Sequence, residues 1–164
     1  MRYLTARGRI KDGDLIALKR SRGWFWQLVR WVTRSAYTHT AVAVWLEGGL
    51  YVVEMNSAGN VLVPLSQYRS PFDVFACPVN RAQAKEMALW SLRNPIGYGW
   101  TDLLYIAAHN LLALRTPRDT GGIVCSALSA LIYRQAGWQA TLPNIPSPAD
   151  LVAALGESQM EVQP

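Results

Sequence analysis

The sequence predicts an α+β domain, with an antiparallel sheet built from strands in the first half of the chain and helices packed against it from the second. Three observations predict it. Up to residue 77, short β-branched and aromatic runs alternate with turn residues, which is how strands read. Two glycines, Gly48 and Gly49, separate two such runs, which is a hairpin signal. From Asn80 onward the apolar residues recur at helical rather than strand spacing.

Size and charge narrow the class. The chain has 164 residues, of which 51% are hydrophobic, enough for one domain with a substantial core. One domain is expected over 1–156, followed by a loose tail at 157–164 that carries no periodic pattern. Sixteen basic against eleven acidic residues give a formal charge of +5, mostly from arginine, which suits contact with phosphate or carboxylate groups. The cations are scattered, so a nucleic-acid partner is not expected. Two cysteines, Cys77 and Cys125, fall short of a disulfide framework, and with two distant histidines they match no zinc spacing. Reduced thiols, no metal and no other cofactor are the expectation. The N-terminus has no apolar signal-type core and no stretch reaches the ~18 apolar residues of a membrane span. Synthesis in the cytoplasm without a signal peptide, as a monomer, is expected.

In chain order, Gly13 and Asp14 turn into a short buried strand at 15–18. Residues 24–34 place Trp24, Phe25, Trp26 and Trp31 with Arg30 and Arg34 in a helical pattern with one aromatic face. Strands follow at 38–46 and 50–55, then at 61–63, ended by Pro64, and at 72–77, ended by Pro78. A capped amphipathic helix runs over 81–92 and a more apolar one over 101–114. Ser147 and Pro148 open a last short helix through Leu155.

The chemistry centres on the segment 121–137. Two glycines precede a run in which Ile123, Leu128, Leu131 and Ile132 repeat at helical spacing, so Cys125 lies in or just before the first turn of a helix that ends at Gly137. Unpaired N–H groups and the positive dipole end stabilise a thiolate there. A thiolate nucleophile needs a base, and the base needs a group that fixes its orientation. His109 falls mid-helix among apolar neighbours and reads as a packing residue; His39 opens a strand, where strand ends face clefts. A turn centred on Gly48-Gly49 sets Glu54 opposite Ala43 and Asn56 opposite Ala41, all on the His39 face of the sheet because side chains alternate. Glu54 then needs a bulge or a wider loop to reach His39, so Glu54 and Asn56 both remain candidates for the third residue.

His39 at the start of a strand, Glu54 in a Tyr-Val-Val-Glu strand and the Cys125-Ser126-Ala127-Leu128 helix start resemble the circularly permuted NlpC-type papain-fold cysteine hydrolases, the YiiX/YaeF-like group. Gly13-Asp14-Leu15-Ile16, Gly97-Tyr98 and Pro148-Ala149-Asp150-Leu151 also fit the pattern, which spans most of the chain. The chain differs from it at Val124, where an aromatic is common, at Ala127, where glutamate is common, and at Gly99, where aspartate is common. The resemblance implies a permuted papain-like fold with the nucleophile helix near the C-terminus, and a triad of Cys125 as nucleophile, His39 as general base and Glu54 as its polar partner. Tyr98, Ser126 and Thr38 are the expected cleft residues. The implied activity is amide hydrolysis through an acyl-enzyme by a cysteine peptidase, with peptidoglycan stem peptides as substrate class, as in a phage- or bacterial-type wall hydrolase acting at the cell envelope after lysis or injection. Two other readings stand beside it. One is a lipid ester hydrolase or acyltransferase of the lecithin:retinol acyltransferase type, in which the aromatic face at 24–31 meets an anionic membrane surface. The other is a non-catalytic binding module on the same fold.

Overall fold

The computed structural model describes residues 1–19, 35–94, 96–97, 99 and 124–164. The helices predicted over 24–34 and 101–114, with the aromatic face and His109, lie outside the described residues, as does Tyr98.

Among the described residues, six strands form one antiparallel sheet: β1 (Leu15–Leu18), β2 (His39–Leu46), β3 (Gly49–Asn56), β4 (Gly59–Pro64), β5 (Phe72–Phe75) and β6 (Met160–Val162), in the spatial order β4-β3-β2-β1-β5-β6. Among the described residues four helices accompany it: α1 (Tyr3–Ala6), α2 (Arg81–Arg93), α3 (Cys125–Gln135) and α4 (Pro148–Leu155). The α+β expectation of an antiparallel sheet with helices packed against it matches this architecture, and five of the six strands lie in the first half, where all were expected.

The apolar run of β1 is unbroken because this strand is central and buried on both faces. Leu15 and Ala17 face a core shared with Val42, Val44, Val53 and Met55 and closed by Ala84 and Ala88 of α2, Leu128 and Ile132 of α3 and Leu151 of α4. Ile16 and Leu18 face the opposite core, with Ala41, Ala43, Val52 and Val74, closed by Ala6, Ile10, Leu65 and Tyr68. The strand period of two therefore assigns alternate residues to two separate cores.

Two expectations are corrected. In place of a loose tail at 157–164, residues 160–162 form β6 on the edge of β5, with Val162 fully buried opposite Phe72 and the Gln159 N–H bonded to the Val74 carbonyl at 2.7 Å. Three residues are too few for an alternation to register in sequence; the open edge of β5 orders them, together with the N-terminal residues, which exchange backbone bonds with Gln163 and Glu161. The β2–β3 turn is centred on Glu47-Gly48, not on Gly48-Gly49: Leu46 pairs with Gly49 and Ala41 with Glu54. Glu54 thus reaches its place opposite Ala41 with an ordinary two-residue turn and an uninterrupted ladder, without the bulge or wider loop.

The helices end as their sequences direct. Asn80 caps α2 by accepting from the N–H groups of Ala82 and Gln83, and Ser147 with Asp150 forms a reciprocal capping box at α4. Gly13 has φ +81°, and a Cβ there would lie 2.6 Å from the Cys77 sulfur, so this turn requires glycine. Beneath it the fully buried Asp14 accepts from the Lys11 N–H at 2.8 Å, the Cys77 N–H at 3.1 Å and Arg81 at 2.6 Å. These bonds fix the loop that feeds β1.

Candidate active site

Cys125 is the first residue of α3, as the sequence predicts. Val124 before it is extended and supplies no side-chain cap, so the N–H groups of the first turn are not consumed by one. Several bonds set the helix position. The Ser126 hydroxyl donates to the Pro146 carbonyl at 2.7 Å, the Ser129 hydroxyl bonds to both the Cys125 carbonyl and the Thr40 hydroxyl at 3.2 Å, and the Tyr133 hydroxyl donates to the Gly13 carbonyl at 2.8 Å. With Leu128 and Ile132 buried against the sheet, the first turn of α3 is held over the start of β2.

His39 opens β2 and is 7% exposed; Glu54, on β3, is equally buried. Their side chains meet on a diagonal across the β2–β3 pair, Nε2 of His39 lying 2.8 Å from Oε2 of Glu54. Cys125 also lies within interaction range of the ring, and of the charged groups it acts on the imidazole most strongly. The ladder between β2 and β3 stops at Ala41–Glu54. One residue beyond it, the backbone N–H of Thr40, with that of Ser126, favours the Cys125 thiolate.

The electrostatics follow from this packing. Burial by itself pushes the Cys125 thiol up, but His39 beside it and the two N–H groups outweigh that and leave it below its ordinary value. Burial likewise draws the His39 imidazole down, yet the Cys125 thiolate and then the Glu54 carboxylate raise it to about 10. The arrangement therefore favours a thiolate–imidazolium pair. Cys77 differs: burial pushes its thiol up, and its sulfur bonds to the Val79 carbonyl at 3.3 Å under Gly13.

Of the expected site residues, Cys125, His39 and Glu54 are brought together. Asn56 is not placed against His39; its Oδ1 accepts from the Ala58 N–H at 2.9 Å and closes the β3–β4 turn, where Asn56 pairs with Gly59. Ser126 does not line a cleft, since it is fully buried and bonded to Pro146. Thr38 is also buried, 4% exposed, with its N–H bonded to the Leu18 carbonyl at 2.9 Å. Its place is structural, joining the end of β1 to the approach to His39.

Sequence reasoning missed Tyr68. Its hydroxyl donates to Oε2 of Glu54, the oxygen that also meets His39. Tyr68 follows a 3-10 turn, Leu65–Gln67, in a stretch with no periodic pattern, and only its aromatic ring among polar neighbours marks it. Missed as well was Asp73, a carboxylate buried inside β5 that is bonded to the Tyr37 hydroxyl and paired with Lys19 at 2.9 Å.

No protein-family model matches the chain, and no curated protein matches it. Among solved structures it superposes on the crystal structure of a metalloprotein, YiiX from Escherichia coli O157:H7, described as DUF1105, with TM-score 0.56 and 19% sequence identity. The likeness is one of fold. The superposition covers 77% of this chain and 66% of that one, so the chain spans a little under two thirds of that protein's length. Among the described residues, no helix is long and apolar enough to cross a membrane.

Proposed function

We propose that the protein is a cysteine hydrolase of amide bonds, with Cys125 as nucleophile, His39 as general acid–base and Glu54 as the group that orients and charges His39. One observation carries the reading: a thiol at the first position of a helix interacts with an imidazole that is held at 2.8 Å by a buried carboxylate. Three polar groups in series beneath a helix start are a costly arrangement for packing alone, since each must be desolvated. They match what thiol acyl transfer requires.

In the proposed cycle, the proton of Cys125 resides on His39 and the sulfur attacks the carbonyl carbon of the scissile amide. The N–H groups at the start of α3 hold the resulting oxyanion. As the C–N bond breaks, His39 delivers its proton to the leaving amine, and an S–acyl bond remains. Water then attacks the acyl carbon while His39 takes its proton; the S–C bond breaks and a free carboxylic acid leaves. Glu54 keeps the imidazole in register and stabilises its charged form throughout. The similar fold of YiiX and the residue pattern at Cys125, His39 and Glu54 support a permuted papain-like arrangement, and peptidoglycan stem peptides are the substrate class that goes with it.

YiiX is described as a metalloprotein. Among the described residues here, no three His, Cys, Asp or Glu side chains are grouped to hold a metal ion.

The test is incubation of the purified protein and of Cys125→Ser with bacterial sacculi, with the fragments weighed by mass spectrometry, beside anionic vesicles assayed for released fatty acid. Peptide fragments with new carboxyl ends from the wild type alone are the expected result. Fatty acid release without peptide fragments would move the activity to lipid esters. No product from either, with Cys125 no faster than an ordinary thiol toward iodoacetamide at pH 6, would leave a non-catalytic binding module.

A further inference from the structure

Glu54 serves two donors with one oxygen. Oε2 lies 2.8 Å from Nε2 of His39 and accepts the hydroxyl of Tyr68. Tyr68 is 7% exposed, is set by the 3-10 turn after β4 with its N–H bonded to the Leu65 carbonyl at 3.1 Å, and has its ring held edge-on by Phe72 at 6.3 Å. A phenol fully packed on its ring and directed at a carboxylate has little freedom to point elsewhere. Ile16, Ala41, Val52 and Phe72 make the rest of this core apolar, so the polar connection at Glu54 stands out against its surroundings.

We infer that Tyr68 is a positioning residue, the fourth member of a line running Cys125–His39–Glu54–Tyr68, and that it sets the range of pH over which the thiolate and the imidazolium coexist. The inference rests on the cysteine hydrolase reading of the site. Among the described residues, the titratable groups that act on His39 are Cys125 from α3 and Glu54 from β3, and Tyr68 acts through Glu54. A buried carboxylate needs donors to remain charged and fixed. Without the phenol, Glu54 has only part of its solvation replaced and a wider choice of rotamer, so its bond to His39 weakens. The imidazolium then loses its proton at lower pH, and the thiol, with a weaker cation beside it, ionises at higher pH. The window narrows from both sides.

The experiment is the rate of Cys125 alkylation by iodoacetamide against pH, which needs no substrate, in a Cys77→Ser background. It is run with Tyr68→Phe, with Glu54→Gln and with both. Phenylalanine keeps the ring and its contact with Phe72, and thermal unfolding checks that the fold persists. Expected is a Tyr68→Phe profile whose acid limb, where the thiolate forms, moves up and whose upper inflection, where the imidazolium beside the thiolate loses its proton, moves down, with a roughly tenfold slower rate at the acid end, the scale set by one hydrogen bond to a charged group. In the Glu54→Gln background the same substitution should shift the profile far less, because the charge that the phenol stabilises is already gone. A Tyr68→Phe profile that overlays the wild type, or an equal shift with Glu54→Gln present, would overturn the inference. A wild-type profile like that of a free thiol would instead overturn the reading of the site itself, and the role of Tyr68 with it.

Discussion

Replacing Glu54 by glutamine isolates the charge on which His39 depends. Glutamine has the same length and one carbonyl oxygen that can occupy the place of Oε2, so it can still accept from His39 and Tyr68. What goes is the negative charge, from a position 7% exposed and 2.8 Å from the imidazole. A hydrogen bond between buried charged partners contributes about 1.5–3 kcal/mol more than leaving them apart, which is a factor of roughly ten to a hundred. Of the two groups that raise His39, the Cys125 thiolate contributes more than Glu54, and it remains in the variant. The imidazole should therefore stay above its ordinary 6.5 but fall from about 10, by roughly one to two pH units on the same energy scale. In the proposed cycle the imidazolium acts as acid, so the alkaline limb of the rate profile should move down and the acid limb, set by Cys125 ionisation, should move up. The rate between the limbs drops by about ten- to a hundredfold. The assay is turnover against pH for wild type and Glu54→Gln, on whichever substrate the sacculus digestion identifies. An unchanged alkaline limb with an unchanged rate would refute the role of Glu54.

Two further predictions concern the frame around the site. Gly13→Ala forces a side chain into a φ of +81° and against the Cys77 sulfur at 2.6 Å and the Ala84 Cβ at 2.9 Å; a loss of about 2–4 kcal/mol in urea unfolding is expected, with the alkylation profile of Cys125 retained. Ser147→Ala removes a cap whose hydroxyl accepts the Asp150 N–H at 3.2 Å and should cost about 1 kcal/mol, read as a lower urea midpoint with an unchanged slope.

Much of the site was legible locally. The placement of Cys125 at a helix start depends only on the apolar spacing after it, and His39 at a strand start depends only on the β-branched run it opens. The face shared by His39 and Glu54 also follows from sequence, because alternation fixes faces regardless of register. Asn56 shares that face too, and for this reason pattern alone could not separate it from Glu54.

Register is where local information ends. Centring the β2–β3 turn on Glu47-Gly48 or on Gly48-Gly49 shifts the pairing by two residues, and a shift of two returns every side chain to its original face. Hydrophobic pattern is therefore blind to the difference, which only the joint packing of β2, β3 and their neighbours resolves. The same holds for β6, ordered by the edge of β5, and for Tyr68, brought to Glu54 by a turn with no pattern of its own. The sequence by itself determined most of the described strands and helices, the faces they bury and the position of Cys125 at a helix start, because these depend on neighbours a few residues apart. Only the tertiary structure decided which carboxylate meets His39 and what holds that carboxylate in turn, because those contacts join residues 14 or 15 positions apart across strands whose register no short-range preference specifies.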